Sequence, residues 1–222
     1  MKLKAVLFDL DGTIIDSEWF YYKAWKAILE EYGMVLDSHS WLTSFAGKTE
    51  AQAFVVLQEQ FGFTGDADTF FRQKKERIAQ QYAEEEVSLM PGVPELIRYL
   101  YGQGVTMAVV TSSLRPVTEF NLTKYGLINY FETIVTRSDI TNPKPAAEPY
   151  ELCVERLGID KSACIALEDS VTGATAAAAA GVTCFGVQSH EEIRRNLVVD
   201  RLFVDLHEVL EYIRNGQLVV HN

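Results

Sequence analysis

The sequence of 222 residues predicts an α/β fold, in which a doubly wound parallel sheet carries an inserted all-helical cap. From residue 91 onward, short apolar segments alternate with amphipathic ones, as strands and crossover helices do. Between the first apolar segment and this alternating part, the chain shows only helical periodicity. We therefore expect a core of residues 1–16 and 87–222, with residues 17–86 forming the cap.

The first strand is predicted at Lys4–Phe8, an apolar segment that ends at an acidic turn. In a doubly wound sheet, ligands bind beyond the carboxyl ends of the strands, so the residues that follow each strand are candidates for a site. Later strands are predicted at Val105–Thr111, Thr133–Thr136, Cys164–Leu167, Val182–Val187 and Arg201–Val204, with helices at Arg115–Tyr125, Glu148–Leu157, Val171–Ala180 and His207–Arg214.

The predicted cap begins with an amphipathic helix that Gly33 ends. Further helices are predicted at Glu50–Phe61 and Asp66–Glu85. An insertion after the first strand can close over the strand ends and exclude water, and we expect its hinges near Asp16–Ser17 and Glu86–Met90.

The composition narrows the classes of function. Hydrophobic residues make up 48% and charged residues 23%, which is ordinary for a globular protein, and no apolar run is long enough to predict a membrane span. The net charge of −11, from 31 acidic and 20 basic residues, repels polyanions and argues against a nucleic-acid partner. A small phosphorylated metabolite remains a suitable partner, because one phosphate needs only a metal ion, a lysine and a few N–H groups.

The start of the chain and its cysteines favour the cytoplasm. The N-terminal apolar run is short and is interrupted by Asp9 and Asp11, unlike a secretory signal. The cysteines at 153, 164 and 184 are widely spaced and odd in number, which favours neither a zinc site nor a disulfide framework. We expect a cytoplasmic protein that is a monomer or a weak dimer.

Two carboxylates two residues apart follow the first predicted strand, in the segment Asp9-Leu10-Asp11-Gly12-Thr13. The glycine permits the chain to turn there. One carboxylate of such a pair can attack phosphorus while the other handles the proton of the leaving group. The structural alternative is an aspartate-rich turn or helix cap.

Two later segments offer groups that suit a phosphate. Thr111-Ser112-Ser113 closes a predicted strand, and its hydroxyl and N–H groups can bind phosphate oxygens, although hydroxyls before a helix also serve as caps. Lys144 lies between two prolines on a stiff loop and can bring a positive charge to a phosphate, although it can also be a solvated loop lysine.

Adjacent acids, Glu168 and Asp169, follow the strand predicted at Cys164–Leu167. Magnesium takes one or two protein carboxylates together with a substrate phosphate and keeps several waters. We therefore expect Mg²⁺ as the cofactor, with capping of the next helix as the structural alternative.

These four segments, in this order, resemble the haloacid dehalogenase superfamily of aspartate-based phosphotransferases, over nearly the whole chain. The resemblance implies that Asp9 is the nucleophile and a metal ligand. It implies that Asp11 is the general acid and base, with its backbone carbonyl on the metal. An acid at this position disfavours dehalogenation, because a departing halide needs no proton.

The same resemblance assigns the remaining core residues. It implies that Thr111, Ser112 and Lys144 hold the phosphate. Asp169 is expected to bind the metal directly, and Glu168 directly or through water.

Within the superfamily, the segments Asp16-Ser17-Glu18 and Ala24-Trp25 resemble the branch that contains β-phosphoglucomutase and small sugar-phosphate phosphatases. The mutase has a histidine in the first cap helix where this chain has Tyr21. It has an arginine after the cap-loop glycine, where this chain has Lys48-Thr49-Glu50 after Gly47. A mutase must hold a second phosphate in the cap, and these residues offer less positive charge for it.

We therefore expect a phosphatase that acts on small sugar or polyol phosphates. Its expected cap residues are Tyr21, Gly47, Lys48, Lys74 and Lys75, of which the lysines could still provide the charge that a mutase requires. The mutase remains the alternative. A catalytically idle protein that binds a phosphorylated metabolite is an alternative of another class, against which the intact aspartate pair argues.

Overall fold

The computed structural model describes residues 2–45, 48, 50–84, 87–216 and 219–220. Its internal contacts divide the chain into two compact units. The core unit consists of Met1–Ile15 and Leu89–Asn222, and the helical unit consists of Asp16–Ser88. The helical unit is thus an insertion between the first strands of the core unit and the rest of it.

Among the described residues, the strands of the core unit form a six-stranded parallel sheet and a separate two-stranded parallel pair. The strands are β1 (Lys2–Leu3), β2 (Ala5–Phe8), β3 (Thr106–Val110), β4 (Thr133–Val135), β5 (Cys164–Glu168), β6 (Thr183–Val187), β7 (Arg201–Phe203) and β8 (Val219–Val220). The order across the large sheet is β4-β3-β2-β5-β6-β7, and β1 pairs with β8.

The strand β2 lies where the order of the strands changes direction. Its side chains are all buried, and Phe8 at its end is paired with Val109 of β3 and Leu167 of β5. The carboxyl ends of these three strands therefore lie at nearly the same level. In doubly wound sheets this is the edge at which ligands bind.

The helices are α1 (Glu18–Glu31), α2 (Ser38–Ser40), α3 (Glu50–Phe61), α4 (Ala67–Glu84), α5 (Val93–Gly102), α6 (Arg115–Lys124), α7 (Glu148–Leu157), α8 (Val171–Ala180), α9 (Glu191–Arg194) and α10 (Leu206–Arg214). In α8, four of the alanines are buried, and their small side chains let the helix lie close to the sheet. The hydroxyl of Ser170 caps α8 by accepting a hydrogen bond from the N–H of Gly173 at 3.1 Å. This cap begins the helix directly after Glu168 and Asp169.

The helical unit is built around aromatic side chains. The ring of Trp25 lies 5.1 Å from that of Phe45 and 5.0 Å from that of Phe70, measured between centroids. The buried hydroxyl of Tyr22 donates to the carbonyl of Leu36 at 3.2 Å. Such aromatic pairs add about 0.5–1.5 kcal/mol each beyond the area that they bury, so the unit has a core of its own.

The two connections between the units are paired by backbone hydrogen bonds. In the core unit, Ile15 forms an antiparallel bridge with Leu89, and the N–H of Met90 donates to the carbonyl of Ile14 at 2.9 Å. In the helical unit, the N–H of Asp16 donates to the carbonyl of Ser88 at 2.9 Å.

In the part of the chain that the structure describes, no helix is both long and apolar enough to cross a membrane.

The predicted fold class is confirmed, and most predicted elements are present within one or two residues. Three of the described elements were not predicted. The helix α5 follows Pro91-Gly92, which indicated only a break, although a proline at position 94 is compatible with the first turn of a helix. The strands β1 and β8 contain two residues each, which is too short for a periodic pattern.

Candidate functional site

The candidate residues of the core unit follow the carboxyl ends of neighbouring strands. Asp9 comes directly after β2, and its N–H donates to the carbonyl of Leu167 at 2.9 Å. Thr111 comes directly after β3, and its N–H donates to the carbonyl of Val135 at 2.9 Å. Glu168 is the last residue of β5. The sheet hydrogen bonds therefore continue to the point at which the functional side chains begin.

The turn after Asp9 requires a glycine. Gly12 has a φ of +81°, which L side chains rarely adopt, and its N–H donates to the carbonyl of Ile15 at 2.7 Å. A Cβ atom at this position would lie 2.1 Å from the Oδ2 atom of Asp169. The turn that carries Asp9 and Asp11 thus passes against Asp169, and only a glycine leaves enough space.

Lys144 is buried at the centre of the site. Its ammonium group donates to Asp9 Oδ1 at 2.6 Å, to Glu168 Oε1 at 2.5 Å and to the carbonyl oxygen of Val110 at 2.8 Å. These contacts use all three of its N–H donors. Burial opposes the positive charge, but the carboxylates of Asp9 and Glu168 outweigh it and hold the pKa of Lys144 above its ordinary value.

The loop that carries Lys144 is closed by the first residue of α7. The carboxylate of Glu148 accepts hydrogen bonds from the N–H of Thr141 at 2.7 Å and from the N–H of Asn142 at 2.8 Å. The peptide bond between Lys144 and Pro145 is cis. Lys144 is therefore held by a loop whose two ends are hydrogen-bonded to each other, and the alternative of a solvated loop lysine is excluded.

Tyr150 is a site residue that sequence reasoning missed. Its hydroxyl donates to Glu168 Oε1 at 2.6 Å, and both side chains are fully buried. Burial and the negative charge of Glu168 raise the pKa of Tyr150 well above its ordinary value, so the phenol remains a donor at neutral pH. The Oε1 atom thus accepts from both Lys144 and Tyr150, while Oε2 accepts from the hydroxyl of Ser170 at 3.3 Å.

The carboxylates fit a divalent cation. Asp9, Glu168 and Asp169 each offer one oxygen, and these three oxygens lie within 4.8 Å of one another. Burial raises the pKa of Asp9 well above its ordinary value, with Glu168 and Asp11 adding to this and Lys144 opposing it. A cation held by oxygen ligands would favour the charged forms of these groups.

Ser113 is a second residue whose contacts were not foreseen. Its hydroxyl donates to Asp11 Oδ2 at 2.6 Å, and its N–H donates to Thr111 Oγ1 at 3.0 Å. Ser112, which was predicted to bind phosphate, is exposed. The structure therefore brings Asp9, Asp11 and Lys144 together with Ser113 at the strand ends.

The predicted cap residues lie in the helical unit. Tyr21 is half-buried, and Lys48 and Lys75 are exposed. The ammonium group of Lys74 lies 5.4 Å from the ring centre of Phe71, a contact that stabilises the unit itself. Gly47 lies outside the described residues. The roles of these residues toward a substrate stay predictions.

Comparison with known proteins places these features in a family. A family model described as haloacid dehalogenase-like hydrolase matches residues 6–187. The fructose-1-phosphate phosphatase YqaB of Escherichia coli (strain K12) is 31% identical over 189 residues, which are 84% of this chain and 97% of that protein. The validoxylamine A 7'-phosphate phosphatase of Streptomyces hygroscopicus subsp. limoneus is 31% identical over 212 residues, which are 93% of this chain and 95% of that protein.

A solved structure agrees with these matches. The crystal structure of a HAD family hydrolase from Deinococcus radiodurans R1, with bound phosphate and sodium, covers 99% of both chains with a TM-score of 0.79 and 28% sequence identity. Similarity therefore extends over the core unit and the helical unit alike.

Proposed function

The chain belongs to the haloacid dehalogenase-like hydrolase family, and we propose that it hydrolyses small phosphate monoesters, such as sugar or polyol phosphates, through a phosphorylated Asp9. The observation that supports this most directly is the position of Lys144. One buried ammonium group contacts Asp9, the proposed nucleophile, at 2.6 Å and Glu168 at 2.5 Å.

The proposed reaction has two steps. In the first, a carboxylate oxygen of Asp9 forms a bond to phosphorus while the bond from phosphorus to the leaving alcohol breaks, and Asp11 gives a proton to that alcohol. In the second, a water oxygen bonds to phosphorus and the Asp9–phosphorus bond breaks, while Asp11 takes a proton from the water. Inorganic phosphate is released, and both aspartates return to their starting forms.

The phosphate is held by groups that stabilise negative charge. Lys144 binds a phosphoryl oxygen in exchange for one of its three present acceptors. The hydroxyl of Thr111 binds another phosphoryl oxygen, and the exposed Ser112 adds its N–H or hydroxyl. Asp9 and Asp169 would hold Mg²⁺ directly and Glu168 directly or through water, together with the backbone carbonyl of Asp11. When bound, the ion neutralises the charge of the phosphoryl group and so permits its approach to the carboxylates.

The substrate class is proposed from two considerations. The two relatives named above are phosphatases of fructose 1-phosphate, which is a sugar phosphate, and of validoxylamine A 7'-phosphate. The resemblance to the mutase branch implies that Tyr21 stands where the mutase has a histidine, which favours hydrolysis over phosphate transfer between two positions of a sugar. We further expect cytoplasmic location and a monomer or weak dimer.

A panel of sugar and polyol phosphates tests the proposal by the release of inorganic phosphate with and without chelator. Release that requires Mg²⁺ and disappears in the Asp9→Asn variant is expected. Incubation with β-glucose 1-phosphate and a trace of the 1,6-bisphosphate separates the alternatives. Rapid formation of glucose 6-phosphate with little free phosphate would identify a mutase, and binding of phosphorylated metabolites without turnover would identify an idle binding protein.

A further inference from the structure

Ser113 joins two parts of the site that are far apart in sequence. Its Oγ atom lies 2.6 Å from Asp11 Oδ2, a distance typical of a hydroxyl that donates a hydrogen bond to a carboxyl oxygen. The bond connects residues that are 102 positions apart, one after β2 and one after β3. It therefore depends on the folded sheet and is not a local turn contact.

Capping of the next helix does not account for this hydroxyl. The N-cap residue of α6 is Leu114, which makes no side-chain cap hydrogen bond. The hydroxyl of Ser113 is directed to Asp11 instead. A hydroxyl residue just before a helix usually indicates capping, but here the hydroxyl of Ser113 binds the carboxyl group of Asp11.

The backbone of Ser113 also acts on Thr111. The N–H of Ser113 donates to Thr111 Oγ1 at 3.0 Å, so this oxygen serves as an acceptor. A hydroxyl that accepts one hydrogen bond still has its own proton to donate. The contact thus orients the Thr111 hydroxyl as a donor, which suits a phosphate oxygen.

We propose that Ser113 is a positioning residue for proton transfer by Asp11. Its hydroxyl holds Oδ2 and so fixes the direction in which the carboxyl group presents Oδ1 to the reacting oxygen. The proton moves from Asp11 to the leaving alcohol in the first step and from water to Asp11 in the second. Ser113 keeps its own proton throughout. This inference rests on the proposed phosphatase function and adds to it the residue that orients the acid.

The test compares two substrates that differ in their need for a proton. An alkyl phosphate such as glycerol 1-phosphate has a poor leaving group, whereas 4-nitrophenyl phosphate has a good one. Ser113→Ala removes the hydroxyl and keeps the N–H that binds Thr111. We expect kcat/KM for the alkyl phosphate to fall by about 10- to 100-fold, a part of the roughly 10²–10⁴-fold that general acid–base catalysis contributes. For the aryl phosphate we expect a loss of less than about 3-fold.

Two further variants separate positioning from a structural effect. Ser113→Thr retains the hydroxyl and should restore most of the alkyl phosphate rate. Adding Ser113→Ala to the Asp11→Asn variant should lower kcat/KM for the alkyl phosphate little below that of Asp11→Asn alone, because the side chain that Ser113 positions can no longer transfer a proton. Ser162→Ala, at an exposed serine of a surface turn, serves as the control and should leave both rates unchanged.

The outcomes distinguish this inference from the proposed function. If the wild-type protein releases no phosphate from any monoester, the proposed function fails and the inference fails with it. If the wild type is active, equal losses of Ser113→Ala on both substrates, no loss on either, or a full additional loss in the Asp11→Asn background would overturn the inference alone.

Discussion

Replacing Tyr150 with phenylalanine removes one hydroxyl from the buried centre of the site and leaves the ring in place. The lost hydrogen bond, to Glu168 Oε1 at 2.6 Å, joins two fully buried side chains. Hydrogen bonds to charged groups contribute about 1.5–3 kcal/mol to stability. Because Lys144 still donates to the same oxygen at 2.5 Å, Glu168 is not left without a partner, and we expect a loss near 1.5–2 kcal/mol.

Tyr22→Phe in the helical unit is a matched control. It also removes a buried hydroxyl, but the acceptor is the neutral carbonyl of Leu36 at the longer distance of 3.2 Å. A net contribution of about 0.5–1 kcal/mol is expected for such a bond. The two variants thus differ mainly in the charge of the acceptor and the length of the bond.

Native-state hydrogen exchange measures each loss within its own unit, at the amides of β5 for Tyr150→Phe and at the amides of α1 for Tyr22→Phe. Binding of Mn²⁺ as a probe for Mg²⁺, followed by electron paramagnetic resonance, gives a second measurement. Because Tyr150 orients a carboxylate that is proposed to bind the metal, we expect affinity to fall by about 10- to 100-fold, with no change for Tyr22→Phe. A loss of stability for Tyr150→Phe no larger than that of the control, together with unchanged Mn²⁺ affinity, would refute the reasoning.

Four other changes test the remaining contacts. Asp169→Ala should abolish most Mg²⁺-dependent phosphate release, as measured against Mg²⁺ concentration, and unchanged activity after exhaustive chelation of the wild type would contradict the metal site. Gly12→Ala should lower the free energy of unfolding by about 1–2 kcal/mol, because residue 12 has a left-handed φ. It should also reduce phosphate release, because the added Cβ would displace Asp169. Turnover equal to that of the wild type would contradict the second expectation. Lys144→Met should lower the free energy of unfolding by about 3–5 kcal/mol in urea titrations, because it leaves the buried carboxylates of Asp9 and Glu168 without the ammonium group that they contact. An unchanged free energy of unfolding would show that these contacts are not formed in solution. Asp139 is held below its ordinary pKa, since hydrogen bonds from Thr136 and two arginines outweigh the effect of burial, so Asp139→Asn should reduce stability above about pH 4 and progressively less as the pH falls below that value; a difference that grows in acid would refute this assignment.

The sequence predicted the strand ends and the charged groups beside them. Asp9 and Glu168 each follow or end an apolar segment, and parallel strands bring such ends to one edge, so their proximity follows from the fold class. The position of Lys144 between two prolines indicated a rigid loop. Its three hydrogen bonds could not be derived, because they depend on how that loop folds back over the sheet.

Contacts that depend on three-dimensional packing were beyond sequence reasoning. Tyr150 is the third residue of an amphipathic helix, and its spacing predicts only a buried ring, which the structure also shows. The hydroxyl at the end of that ring reaches Glu168 because of the way α7 packs against β3 and β4. Ser113 likewise sits in a segment whose pattern is shared by helix caps, and only the adjacency of β2 and β3 shows that it contacts Asp11.

The central position of β2 has a consequence for synthesis on the ribosome. This strand leaves the ribosome before both of its partners, which begin at residues 106 and 164. At about 5–20 residues per second, the 160 residues between Phe8 and Glu168 take roughly 8–32 s to be made. During this time the inserted helices, whose contacts are local, can fold first. An apolar segment without its neighbours is prone to aggregation, so a nascent chain that stalls before residue 164 should depend on chaperones until both partner strands have emerged.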